Sequence, residues 1–172
     1  MKLKKTKFKD LVIIEGISHK DQRGYLREVL LERVIKKKFK FFITSKSKKN
    51  VLRGLHFQKN EPQGKYISVI KGKIFDVTVD LRKKSKTFGK SFSIILSDKN
   101  CKSLYVPPGF AHGFLTLEKE NIVTYSCTEY RSVGNEHALN YNDPVLKIKW
   151  PKRKIVITKK DKKAKSFQEL FK

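Results

Sequence analysis

Cysteine is nearly absent from this chain: Cys101 and Cys127 are the only two in 172 residues. That is too few for a disulfide framework, and their spacing matches no metal or redox motif. Long apolar runs are missing as well. No stretch of about eighteen apolar residues occurs, so nothing reads as a membrane-spanning helix. The start, Met1-Lys2-Leu3-Lys4-Lys5, is basic but is followed by more charge rather than an apolar signal core. These absences lead to the expectation of a soluble cytoplasmic protein with no membrane partner. The length suits a single domain over residues 1–172, able to bury a core without covalent staples.

Acidic residues are also few, 16 against 41 lysines and arginines, for a formal net charge of +25. Such a field draws polyanions. Arginine, the side chain suited to bidentate phosphate and base contacts, supplies only seven of the 41. The lysines are spread through every segment, densest from Lys2 to Lys9, at Lys36-Lys37-Lys38 and from Lys152 to Lys165. No helix-turn-helix, zinc-finger or RNP pattern accompanies them. The expectation is a lysine-rich solvated surface, with no nucleic-acid partner. An anionic small-molecule substrate would gain from the same field.

What the chain does have is a series of short strands. Leu11 to Ile14 is the first candidate, Asp21-Gln22-Arg23-Gly24 is a turn, and Tyr25 to Ile35 reads as a strand passing into a helical turn. Tyr66 to Ile70 and Ile74 to Leu81 flank Lys71-Gly72-Lys73, which predicts a tight hairpin. Ser91 to Leu96, Ser103 to Val106, Gly113 to Leu117 and Ile122 to Cys127 continue the series, and Ser166 to Phe171 suits a short terminal helix. The pattern is that of an all-β sandwich or barrel.

Four histidines are present. Two of them lie among apolar residues and glycines, in Arg53-Gly54-Leu55-His56-Phe57-Gln58 and in Pro107-Pro108-Gly109-Phe110-Ala111-His112-Gly113-Phe114. Each is read as sitting at a strand end. A histidine facing a cavity is a side chain suited to moving protons near neutral pH. Inward-facing residues of barrel strands converge on one cavity, so ionisable groups inside apolar strands are the ones to collect: Arg53, His56, Lys65, Asp76, His112 and Tyr125. A base, a cation and a phenol around one cavity suit proton abstraction beside a carbonyl. Each could equally be a structural hydrogen-bonding group. His19 and His137 fit no role and are read as surface residues. A metal site would need about three His or carboxylate ligands at tight spacing, whereas the central run here has one histidine, so no metal is expected.

These motifs resemble, in order and over most of the chain, the cofactor-free nucleotide-sugar 3,5-epimerases typified by dTDP-4-dehydrorhamnose 3,5-epimerase. The matching elements are Asp21-Gln22-Arg23-Gly24-Tyr25 with Glu28, the Val51 to Gln58 run, Gln63-Gly64-Lys65 and Phe75 to Arg82. Ser85 to Gly89, Pro107 to Phe114, Tyr125, Asn142-Asp143-Pro144 and Trp150-Pro151 complete the set. The resemblance implies a cupin-type jelly-roll barrel with short flanking helices, no cofactor, and epimerisation at C3 and/or C5 of a nucleotide-diphosphate 4-keto-6-deoxysugar.

By the same resemblance His56 is the base, Asp161 its orienting carboxylate, Lys65 the cation beside the enolate and Tyr125 the proton donor on the other sugar face. Arg53 and His112 would help hold the substrate, with Asp76 supporting His112. Arg23, Glu28, Glu136, Lys160 and Arg131 match or replace nucleotide-sugar-binding positions. A homodimer with exchanged N-terminal strands is implied as well. The rival readings are a non-catalytic nucleotide-sugar-binding cupin and a 3,4-ketoisomerase on the same scaffold. Departures motivate the first rival: Phe41 and Ile43 stand where relatives place Gln and Asn, and Arg131 stands where they place an aromatic.

Overall fold

The computed structural model describes residues 1–151 and 154–171. Lys152 and Arg153, which open the C-terminal lysine run, and Lys172 lie outside the described residues. The first part of the chain holds β1 (Lys2–Lys5), β2 (Val12–Glu15), β3 (Ser18–Asp21), β4 (Gly24–Arg27), the helical turn α1 (Glu32–Ile35), β5 (Phe41–Lys48) and β6 (Leu52–Gln58). Then come β7 (Lys65–Lys71), β8 (Lys73–Asp80), β9 (Ser91–Ser97), β10 (Lys102–Val106), β11 (Phe110–Thr116) and β12 (Glu120–Cys127). The short strand β13 (Glu136–Ala138) and the turns α2 (Lys159–Lys162) and α3 (Phe167–Phe171) close the series.

Two antiparallel sheets result, one ordered β1-β2-β10-β7-β12-β5 and the other β13-β6-β11-β8-β9, with β3–β4 as a separate ribbon. Consecutive strands repeatedly fall in different sheets, which is the winding of a jelly roll. This corrects one expectation. Lys71-Gly72-Lys73 is not a hairpin, because β7 and β8 belong to opposite sheets. Gly72 turns the corner with φ of 87°, and a Cβ there would lie 2.3 Å from the Glu120 carbonyl oxygen. Only glycine combines that φ with that approach.

Alternation along the strands sends one set of side chains between the sheets. Phe8, Ile67, Val69, Ile74, Leu104, Phe110, Phe114 and Val123 form that core. The other face of the five-stranded sheet is buried too, since Val77, Val79, Ala111 and Leu55 pack beneath Trp150, Phe167 and Phe171 from the C-terminal segment. Burial on both faces explains why every residue of β11 is inaccessible. The core leaves one end of the sandwich unfilled, and the ionisable residues gather there.

Candidate active site

The two histidine motifs are neighbours across the β6–β11 ladder, with His56 directly opposite His112. Neither is at a strand end; both lie inside their strands. Arg53 and His56 are three residues apart, so a regular strand would place them on opposite faces. Here the register shifts: between the two pairings β6 advances from Arg53 to His56 while β11 moves only from Phe114 to His112. The extra residue is a bulge, and Arg53 and His56 both line the cavity while Leu55 turns to the outer core. Gly54 and Gly113 make this possible. A Cβ on Gly54 would fall 2.5 Å from the Gly113 Cα, and Gly54 has φ of 120°.

The resulting cavity is about 400 Å³ and has two unlike walls. From the five-stranded sheet come Arg53, His56, His112 and Phe114. From the six-stranded sheet come Lys65, Tyr125 and Cys127, joined by Phe41, Ile43 and Ser45 of β5. The ladder fixes that second set: Tyr125 is opposite both Ile43 and Ile67, and Cys127 is opposite both Phe41 and Lys65. Thr158, Lys160 and Asp161 of the α2 turn close one side, and Arg131 and Glu136 stand at the mouth.

His56 Nε2 lies 2.8 Å from Asp161 Oδ1. The Asp161 side chain is only 6% exposed. Burial pushes its carboxyl up, but hydrogen bonds from His56, from the Gly54 N–H and with Thr158 outweigh that and hold it below its ordinary value. A carboxylate accepts, so Nε2 carries the proton and Nδ1 is the free basic nitrogen. The local chain builds this directly. Thr158 caps α2 by accepting from the Asp161 N–H, which sets where the carboxylate points.

His112 repeats the pattern deeper in the core. Its Nε2 is 2.8 Å from Asp76 Oδ2, and both side chains are buried. Among the described residues Asp76 Oδ1 has no hydrogen-bond partner, so His112 is the side chain that this carboxyl group holds in place. Tyr125 stands across from the histidines, its ring 6.3 Å from that of His112 and its hydroxyl 3.4 Å from Ser45 Oγ. Burial pushes the phenol well above its usual range, against smaller opposing effects of Ser45 and Arg53. Lys65 makes no ion pair or hydrogen bond among the described residues, and burial pulls its ammonium below the ordinary lysine value. An unpaired cation in a dry cavity is a site for an oxyanion.

At the mouth, Glu136 is shared by Arg131 at 2.8 Å and Lys160 at 3.3 Å. Burial raises the Glu136 carboxyl, and the two cations more than reverse it. One positive charge is left over there, and Arg53 adds another from the wall, tied to Ser47 Oγ at 3.0 Å.

Nine of the residues singled out in the sequence thus share one cavity, and Asp76 backs it through His112. Arg23 and Glu28 do not join them. Arg23 lies in the β3–β4 turn, 85% exposed and paired with Asp21, and Glu28 follows that ribbon at the surface. Within one chain neither reaches the cavity. His137, expected at the surface, is partly buried and stacks on Phe57 at 5.4 Å because β13 pairs back onto β6. Gln63, Ser45, Cys127 and Thr158 line the cavity without having been singled out as site residues. For Gln63 and Cys127 the signal was there, since alternation from Lys65 and Tyr125 places them; Ser45 comes in on β5, two residues after Ile43. Among the described residues, no group of three or more His, Cys, Asp or Glu side chains is placed to hold a metal.

A jelly roll whose end cavity sets a histidine–carboxylate pair across from a buried phenol defines the cupin class of carbohydrate isomerases. The family model of dTDP-4-dehydrorhamnose 3,5-epimerase matches residues 5–169, and the chain belongs to that family. It is 41% identical over 173 residues to the dTDP-4-dehydrorhamnose 3,5-epimerase of Methanothermobacter thermautotrophicus, covering 96% of this chain and 94% of the relative. Among solved structures, the 3,5-epimerase of Legionella pneumophila in complex with dTDP-4-keto-L-rhamnose superposes with a TM-score of 0.93 at 36% identity, covering 99% of this chain and 94% of that one. The Bacillus anthracis enzyme with TDP and pyrophosphate bound gives 0.91 at 38% identity, covering 96% and 98%.

Proposed function

We propose that this chain, acting as one epimerase domain over residues 1–172, inverts C3 and C5 of dTDP-4-dehydro-6-deoxyglucose without a cofactor. The observation that carries the reading is the placement of His56 and Tyr125 on facing sheets. A base on one side of a sugar ring returns the proton to the face it came from, so inversion requires a donor on the other side. A 3,4-ketoisomerase, working along one face, has no use for Tyr125.

In this reading His56 Nδ1 takes the proton α to the C4 ketone, and Asp161 stabilises the imidazolium that forms. The electron pair moves onto O4, where Lys65 meets the negative charge as it develops. Tyr125 delivers a proton to carbon from the opposite wall, and Arg53 offsets the tyrosinate that results. Solvent restores Tyr125 and strips His56, and the cycle repeats at the second carbon. Arg53, Arg131 and Lys160 supply charge for the diphosphate at the mouth.

Arg23 and Glu28 support a homodimer in which the β3–β4 ribbon of one protomer completes the other's site. Tyr25, Leu26 and Ile17 on and beside that ribbon are all more than half exposed in the single chain, which suits a surface covered by a second copy. We place the enzyme in the cytoplasm.

Proton NMR of dTDP-4-keto-6-deoxyglucose with the protein in deuterated water tests the reading. Deuterium entering at C3 and C5 is expected, with the inverted sugar as product. Binding without exchange would leave the chain a nucleotide-sugar-binding cupin, and labelling of one carbon would make it a single-centre epimerase.

A further inference from the structure

A second basic hollow lies away from the acid–base cavity, between the turn joining β1 to β2 and the loop joining β8 to β9. It encloses about 450 Å³ and is lined by Lys7, Lys9, Arg82, Lys84 and Lys86 with Ser85 and Thr87. Its floor is rigid. Arg82 Nε and Nη2 each bond the buried Asp80 carboxylate at 2.9 Å, and Nη2 also donates to the Lys9 carbonyl at 3.2 Å. The guanidinium lies over the Phe110 ring at 4.6 Å. Ser85 and Thr87 hydroxyls donate to the same Asp80 oxygen, both at 2.6 Å, which fixes the loop around it.

These contacts leave one edge of Arg82 unspent. Nη1 makes no hydrogen bond among the described residues and has only the exposed Asp10 carboxylate at 3.7 Å. Around that edge, Lys7, Lys9, Lys84 and Lys86 make no ion pair among the described residues. Five cations therefore face two carboxylates, and one of those, Asp80, is fully engaged below. A guanidinium held still by four contacts loses little freedom on meeting an oxyanion. Flexible ammonium groups on both rims can then follow a chain of negative charges. The Lys37–Lys38 pair beyond α1 is exposed and lines neither this hollow nor the acid–base cavity.

We propose that this hollow is a second anion site, built for a small ligand carrying several adjacent phosphoryl groups. Arg82 Nη1 donates to one phosphoryl oxygen and the four lysines take the neighbouring phosphoryl groups, with no contact to the His56 cavity.

Calorimetric titration with inorganic tripolyphosphate at about 0.15 M salt, where charges farther apart than about 8 Å are screened, tests it. The wild type is compared with Lys84→Glu/Lys86→Glu and with Lys37→Glu/Lys38→Glu, a charge-matched change at exposed lysines beyond α1. The first variant is expected to lose one binding event per chain, or to weaken it by about tenfold or more, with sugar turnover and melting temperature unchanged. The second is expected to retain that event. Equal weakening in both variants would reduce the effect to net charge and overturn the proposal. Superimposable isotherms for wild type and Lys84→Glu/Lys86→Glu, or a parallel loss of turnover, would overturn it equally.

Discussion

Replacing Asp161 by Asn tests the centre of the mechanism with a side chain of nearly the same size. Asp161 is buried, capped and 2.8 Å from His56 Nε2, so the backbone has no reason to move. Two effects follow. The charge-assisted bond to the imidazolium is lost, and a hydrogen bond to a charged partner is worth about 1.5–3 kcal/mol, or about 10- to 160-fold in rate. An amide can also turn its NH2 toward Nε2, which would shift the ring proton to Nδ1 and remove the base from the cavity. The ceiling is the whole contribution of general base catalysis, up to about 10⁴-fold. Asp161→Asn is therefore expected to lower kcat by between about 10- and 10⁴-fold with KM little changed, because Asp161 contacts the base rather than the sugar. Stopped samples read by NMR for both epimerised product and carbon-bound deuterium would measure it. A loss below about threefold, or one carried by KM alone, refutes the placement of Asp161 behind the base.

Three further outcomes follow from the same geometry. Tyr125→Phe should leave deuterium exchange running while inversion falls by about 10²-fold or more, measured in the same NMR experiment; equal loss of both would remove Tyr125 as the opposite-face donor. Gly54→Ala should cost about 2 kcal/mol or more, seen in urea unfolding, since its methyl would meet the Gly113 backbone at 2.5 Å in a left-handed φ region. Asp80 is held at about 2 from an ordinary 3.8: burial raises it, and Arg82, Ser85 and Thr87 more than reverse that. A lowered folded value means stability present above about pH 4 and lost as pH falls toward 2, worth roughly 2 kcal/mol. The stability gap between wild type and Asp80→Asn should accordingly narrow across that window, and a gap independent of pH would refute it.

Much of this site was legible because strand alternation carries position with it. Given Lys65 and Tyr125 in strands, Ile67, Val123 and Cys127 must share their faces, and the ladder bears this out. Four features were not legible from local pattern. Arg53 and His56 share a face only because of the bulge, and a bulge leaves no periodic trace beyond the glycine at its centre. The corner at Gly72 has the composition of a hairpin, and a choice between pairing and crossing sheets is made by the distant Glu120–Asn121 backbone that packs on it. Strand β5 was hidden because Phe41, Phe42 and Ile43 are apolar on both faces, with Phe42 71% exposed at the sheet edge. Asp161 lay within a lysine-rich tail that local pattern reads as solvated. Only the Thr158 cap three residues earlier marks the turn that buries it.

Phe41 and Ile43 of β5 were, with Arg131, the reason to weigh a non-catalytic reading, yet their position favours chemistry. Phe41 and Ile43 sit directly across from Cys127 and Tyr125, and neither can hold a water. Their effect is to dry the wall that carries both the cation and the phenol. That dryness disfavours charge on Lys65 and on Tyr125 alike before reaction. Once an enolate forms, the balance inverts for Lys65, because the pair of opposite charges is attractive and the low dielectric strengthens it. For Tyr125 the same burial keeps the proton in place until a carbanionic carbon is present to take it. Polar side chains at 41 and 43 would bring water to both groups and weaken both effects. What the replacement gives up is hydrogen bonding from β5 to the bound nucleotide sugar, so its consequence should fall on KM and on the choice among nucleotide sugars rather than on the proton-transfer steps.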